Sequence, residues 1–150
     1  MSSLNDTVAS GGAIFIDTAP VIYLVERKTP YFDQLKPLFD RIDAGDVTAV
    51  TYPITLAESL YYPYKNDDKK LVDAFTQQLA TGQHVRFVPA TAVIADQSAQ
   101  LRARYNLGFA DAVQVATDVV AGCDSFLTND KQLKRVQTLE ILVVSDDFIM

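Results

Sequence analysis

Four acidic residues stand close to where apolar runs stop. Asp17 directly follows AIFI, Ala13 to Ile16. Asp130 comes three residues after the strand pattern of Asp124 to Leu127. Glu58 falls one turn into the helical pattern after VTAVTY, Val47 to Tyr52, and Asp111 in the first turn of the pattern before Asp124. Each has an ordinary role of its own. Asp17 and Asp130 suit turns and helix caps. Glu58 is spaced from Thr55 as a capping-box partner, and Asp111 suits the positive end of a helix dipole. Gathered at one place, the four would instead repel one another and call for a hard divalent cation. Mg²⁺ and Mn²⁺ prefer oxygen ligands, and Mg²⁺ keeps several waters. No histidine or cysteine belongs to the set, which argues against zinc. The matching chemistry is phosphodiester hydrolysis, with water made nucleophilic by one ion and the leaving oxygen stabilised by the same or a second ion, ~3.5 to 4 Å away. Thr128 and Asn129, next to Asp130, either orient such a water or phosphate or satisfy loop backbone.

Whether the acids meet depends on the elements that carry them. Apolar strands are expected at 13–16, 47–52, 84–88, 124–127 and 139–144. Helical spacing lies between them: Thr18 to about Arg27 with Thr18 as cap, 31–44 stopped by Gly45, a helix capped by Thr55, another opened by NDDKK (66–70) and ended by Gly82, about 92–105, and 109–121 with Gly122 as its C-cap. Lys131 to Arg135 makes a further helical turn. Strands alternating with helices mean a parallel sheet covered on both faces, a three-layer α/β fold. Ligands of such folds bind beyond the carboxyl ends of the strands, where Asp17, Glu58 and Asp130 would lie. Asp111 joins them if its helix starts at that rim. Asp118, two turns further along, misses the site, and Asp33, Asp40, Asp43 and Asp46 have the pattern of solvated surface.

The 150 residues, 49% hydrophobic, suffice for one domain and leave little room for a second. Residues 1–12 have the composition of a loose tail ending at Gly11 and Gly12, and 13–150 would form the domain. The tail lacks the basic start and apolar core of a signal peptide, and no run approaches the ~20 apolar residues of a membrane span. The net charge of −6 excludes bulk attraction to nucleic acid, though not a local basic patch. Cys123 is the only cysteine, so no internal disulfide forms, which fits a reducing, cytoplasmic setting. It reads as a buried thiol; the lone His84, beside a strand, is a poor partner for thiolate chemistry.

Four blocks resemble the PIN-domain nucleases, and among them the single-domain VapC-type toxins. They are IFIDTAPVIYLVE (Ile14 to Glu26), TYPITLAESL (Thr51 to Leu60), LRARYNLGFADAVQVATDVVAGCDSFLTND (Leu101 to Asp130) and LEIL (Leu139 to Leu142). The third is the most specific. The resemblance implies a five-stranded sheet in the order 3-2-1-4-5. It makes Asp17, Glu58, Asp111 and Asp130 the metal-binding acids, with Thr128 as a polar helper. It also implies cleavage of RNA to a 5′-phosphate and a 3′-hydroxyl, a homodimer, and inhibition by a small antitoxin. Ala110 departs from the proline the family often has there; alanine is a good helix former and shifts the helix start little.

RNA needs positive potential somewhere. Lys131, Lys134 and Arg135 follow Asp130, Arg102 and Arg104 precede the Asp111 block, and Arg27 and Lys28 follow the first helix. These side chains either hold phosphates or serve solubility. Tyr61, Tyr62 and Tyr64 suit a dimer interface or base stacking. A catalytically silent PIN-like module that binds RNA or protein is the main alternative. A structure-specific DNA nuclease would need more recognition apparatus than this length provides. A phosphatase or receiver domain would need an acidic pair after the first strand and a lysine after the last; DTAP and VVSDD supply neither.

Overall fold

The structure, a computed structural model, describes residues 3–144. Five strands, β1 (Ala13–Ile16), β2 (Thr48–Thr51), β3 (Val85–Phe87), β4 (Ser125–Thr128) and β5 (Ile141–Val143), form one sheet in the order β3-β2-β1-β4-β5. Every pairing is parallel. The order expected from the family resemblance holds, and so does the three-layer architecture. β1 matches the expected run, β4 is displaced from its run by one residue, and β2, β3 and β5 are shorter than the runs that contain them. The last residues of the expected domain, 145–150, with the SDD of VVSDD, and the first two of the expected tail lie outside the described residues.

Side chains alternate across a strand, so β1 feeds two cores. Ile14 and Ile16 point to one side, where they meet Val21 and Leu24 of α2 (Thr18–Val25), Leu35, Leu38 and Ile42 of α3 (Tyr31–Asp43), and Phe75 of the helix at Lys69–Thr76. Phe15 points to the other, against Phe126 directly opposite on β4, with rings stacked 5.0 Å apart. That second core is closed by two helices, Ala92–Tyr105 and Phe109–Ala121. Both span the residues that periodicity predicts. The first ends at Asn106, in the left-handed region at φ 54°, and the second at Gly122, φ 72°.

Two expectations fail at their starts. The expected loose tail is packed from Ser3 onward. Ser3 caps α1 (Leu4–Thr7) in a capping box, Leu4 and Val8 are buried, and the Arg41 guanidinium donates to the carbonyls of Asn5 and Val8 at 2.8 and 2.7 Å. An apolar pair four residues apart, behind a capping serine, is enough to dock a single turn. The helix carrying Glu58, α4, runs Pro53–Lys65, with Tyr52 before it and Pro53 at its first position. Proline has no N–H to lose there. Thr55 is therefore inside the helix and buried, and it does not cap it. The next helix, α5 (Lys69–Thr76), is capped by Asp68 and passes into a π-turn at Gln77–Thr81. With these in place the two long helices are α6 and α7 in chain order.

Candidate active site

Asp17 leaves the end of β1 and caps α2, the place expected for Thr18. Its backbone N–H donates to the Leu127 carbonyl on β4 at 2.9 Å, which holds it beside Thr128. One carboxylate oxygen accepts from the Thr18 N–H and the other from the Thr128 hydroxyl, both at 2.7 Å. The side chain is 9% exposed. Burial raises its pKa above the usual 3.8, the hydrogen bonds from Thr128 and Thr18 oppose the rise, and the charge of Glu58 adds to it.

Glu58 reaches the same place from α4. Its Oε1 accepts from the Thr18 hydroxyl at 3.2 Å, so Thr18 joins Asp17 to Glu58. Asp111 stands half-buried in the first turn of α7. Burial raises its pKa, the charges of Asp17 and Asp130 raise it further, and Arg135 lowers it. Thr128 ties in the fourth acid: its hydroxyl oxygen accepts from the Asp130 N–H at 3.0 Å while donating to Asp17. Asp130 then caps the short 3₁₀ turn Lys131–Arg135 through the Gln132 N–H, 3.0 Å. The four acids thus share one rim, linked by two threonines and by mutual repulsion.

Asn129 points elsewhere. Its amide donates to the Tyr23 hydroxyl at 2.6 Å, and Tyr23 stacks on Tyr31 at 4.4 Å. Arg135 donates to the Asn106 carbonyl at 3.1 Å, which joins the end of α6 to the rim. Arg102 and Arg104 lie exposed in the last turn of α6, and Lys131 and Lys134 are exposed on the 3₁₀ turn. A groove of about 890 Å³ lies away from the acids, among α2, α3, α5 and the π-turn, with Leu24, Phe32, Phe39 and Gln78 in its wall. Tyr61, Tyr62 and Tyr64 are 57, 65 and 64% exposed on α4.

Periodicity and strand ends do not mark Tyr23 or Gln114, and they offer Thr18 only as a helix cap. Gln114 does leave one signal. It is a polar residue in the apolar run AVQVA, one turn from Asp111.

The donor set fits a hydrated hard cation. Among the described residues no three acids, histidines or cysteines converge closely enough to cage an ion. Mg²⁺ is commonly held by one or two carboxylates and completes its shell with water. Each Asp17 oxygen keeps a lone pair beyond the hydrogen bond it accepts. A cation here would also relieve the repulsion between Asp17 and Glu58 and among Asp17, Asp111 and Asp130.

No curated protein sequence gives a significant match to the chain. Solved structures do match in fold. A VapBC2 complex from Rickettsia felis, bound to a DNA fragment from its promoter, aligns with TM-score 0.69 at 16% identity, over 87% of this chain and 98% of that one. VapC20 from Mycobacterium tuberculosis, described as a sarcin-ricin loop cleaving toxin, aligns with TM-score 0.67 at 19% identity, over 83% and 95%. DNA-bound VapBC from Salmonella typhimurium gives 0.69 at 18%, over 88% and 98%. At these identities the shared property is the fold. The family model for the PIN domain matches residues 14–139, a span that includes all four acids, and the chain belongs to the PIN-domain family.

Proposed function

We propose that the chain is a divalent-metal-dependent endoribonuclease, the toxin of a toxin–antitoxin pair. The observation that carries this reading is the meeting of Asp17, Glu58, Asp111 and Asp130 at the carboxyl rim of a PIN-domain sheet. Asp17 and Asp111 would be the central ligands, with Glu58 and Asp130 flanking them. The bound ion, Mg²⁺ with Mn²⁺ as substitute, supplies an activated water and neutralises charge at the phosphate. Thr128 holds the Asp17 carboxylate and the Asp130 backbone in fixed relation, and Thr18 does the same for Asp17 and Glu58. Asn129 acts indirectly, by tying the loop after β4 to Tyr23 of α2. Arg135, Lys131 and Lys134, with Arg102 and Arg104 beyond, are proposed to bind the RNA backbone. RNA as substrate is supported by the family and by the RNA-cleaving description of one structural neighbour.

The test is cleavage of total RNA with end mapping. New 5′-phosphate and 3′-hydroxyl ends that require Mg²⁺ or Mn²⁺ and disappear with chelator are expected. Asp17→Asn should lower the rate by about a hundredfold or more, as expected when a metal-assisted displacement loses a charged ligand. An Asp17→Asn protein that cuts at the parent rate, free of contaminating nuclease, ends the proposal. A folded parent that binds RNA and never cuts it would instead favour the silent module.

The exposed tyrosines of α4 support a homodimer, and the neighbours that are toxin–antitoxin complexes support a small protein inhibitor. Light scattering should give about twice the 16.5 kDa chain mass. Adding the small protein encoded beside the gene should raise that mass and stop cleavage. A monomer at tens of micromolar removes the dimer, and undiminished cleavage removes the inhibitor. A cytoplasmic location goes with an RNA target, and recovery of the chain only outside that compartment on fractionation would contradict it.

A further inference from the structure

We propose that Phe109 is a stacking platform for an unpaired nucleobase of the substrate strand, beside the phosphate held at the acids. The inference rests on the nuclease reading and extends it to how the strand is gripped. Phe109 is 60% exposed and is part of neither core. It is the first residue of α7, the helix that brings Asp111 to the rim, and two residues of chain reach at most about 7 Å. Positions two apart on a helix do not face each other. The ring therefore borders the acids and does not enter among them. Of the large apolar side chains exposed on α6 and α7, Val93, Val119 and Val120 lie at the opposite end of the helix pair. Among the described residues, Phe109 is the one at the rim end.

The ring stands on a rigid mount. Leu107 before it and Ala112 after it are buried in the second core. The Arg135 guanidinium donates to the Asn106 carbonyl at 3.1 Å, three residues before the ring. A side chain built on Gly108 would meet nothing within 4 Å, so the approach from that side is open. A platform already held in place loses little freedom when a ligand covers it. The surroundings select the ligand. Arg135 ends the 3₁₀ turn that Asp130 opens, and Arg102 and Arg104 are exposed in the last turn of α6. A single strand of RNA brings phosphates for these guanidinium groups and a π face for the ring. Every base has such a face, and unpaired bases stack on aromatic side chains. The platform therefore favours an unpaired base next to the cut without choosing which base it is.

The test separates a stacked base from a merely apolar contact. Phe109→Leu keeps apolar bulk and removes the π face, and Phe109→Trp enlarges that face. Two fluorescent probes are compared by anisotropy in the Asp17→Asn background, where the strand is not consumed. One is a mixed-sequence RNA strand of about 16 nucleotides, the other an abasic ribose-phosphate strand of the same length. Phe109→Leu should bind the base-bearing strand about tenfold more weakly, within the range that one base stacked on an aromatic ring provides. It should bind the abasic strand as the background protein does, and Phe109→Trp should bind the base-bearing strand at least as tightly. In the chain with Asp17 intact, Phe109→Leu should raise KM for total RNA by about tenfold, with kcat and melting temperature parental. Equal losses on the two strands would mean that the ring acts on the backbone or on the fold. Unchanged affinity would mean that it touches no base, and a fall in light-scattering mass alone would assign it to a protein interface. Each of these overturns the proposal, as does a background protein that binds neither strand. Failure of the nuclease reading looks different: the parent then leaves total RNA uncut with Mg²⁺ or Mn²⁺ present, and the two-strand comparison still decides the role of Phe109.

Discussion

The two ends of α7 hold carboxylates in opposite ways. At the rim, Asp111 belongs to a group in which every acid has polar company. Asp17 takes hydrogen bonds from Thr18 and Thr128, Glu58 takes one from Thr18, Asp130 is held by Thr128 and Gln132, and Arg135 lies near Asp111. About 10 Å along the helix, Asp118 is 1% exposed and neither of its oxygens has a hydrogen-bond partner among the described residues. Its neighbours are Cys123, half-buried, and Asp124, which is engaged by the Ala13 N–H. Burial, and then the charge of Asp124, push Asp118 up to about 8. The Cys123 thiol is pushed up to about 12 by burial and by Asp118, more than nearby Arg86 offsets, so it is inert, as its apolar setting in the sequence suggests. Carboxylates are buried at both ends, so burial alone does not single out the proposed site. At one end donors oppose the upward shift that burial imposes; at the other nothing opposes it, and the carboxyl keeps its proton up to about 8.

The strongest way to break this contrast is to remove a charge at each end. Asp111→Asn should lower RNA cleavage by about a hundredfold or more. Its melting temperature in metal-free buffer should stay the same or rise, because the variant also removes repulsion with Asp17 and Asp130. Asp118→Asn should leave initial rates within about twofold, since nothing links it to the rim. Equal losses from the two variants would mean that α7 is merely destabilised by either change. A melting temperature that falls in Asp111→Asn but not in Asp118→Asn would contradict the assignment of the repulsive cluster.

How much of this arrangement is legible in the residues depends on the element. α6 and α7 are readable because helix-forming runs end on residues suited to the left-handed region, Asn106 and Gly122. The strands are readable as apolar runs, but their order follows from family resemblance, since periodicity carries no information about which strands pair. Asp17 and Asp130 are legible because an apolar run breaks on a carboxylate. The start of α4 is not: Pro53 and Thr55 are both acceptable first-turn signals, and packing against Gln114 decides which role Thr55 takes. Leu4 and Val8 are hidden in a polar stretch whose partner, Arg41, lies more than thirty residues away. Asp118 is read only in part. Its distance from Asp111 correctly removes it from the rim, but the same helical spacing that buries its neighbours buries it too.

The smaller and more selective expectation concerns that residue and pH. In the unfolded chain Asp118 ionises near 3.8, whereas in the folded protein it keeps its proton up to about 8. Between these values the folded state binds more protons than the unfolded state. Stability therefore falls as pH rises. The contribution is fully present below 3.8, declines through the neutral range, and is lost once pH passes the folded value. An amide side chain cannot ionise and escapes this decline. At pH 8 Asp118→Asn should be more stable than the parent by about 2 kcal/mol, an order-of-magnitude figure well inside the full linkage for a shift of this size. At pH 4 the two proteins should differ by only about 0.5 kcal/mol, because Asp118 is protonated in the fold and little more than half ionised in the unfolded chain. The raised pKa values of Asp17 and Asp111 act with the same sign in parent and variant alike, so they cancel in the difference. Urea unfolding at pH 4, 6 and 8 measures it directly. A gain that is the same at all three values would mean that the substituted amide stabilises by packing and that Asp118 is already ionised in the fold. A gain that grows with pH, with cleavage rates unchanged, would establish that the two ends of α7 use their carboxylates differently.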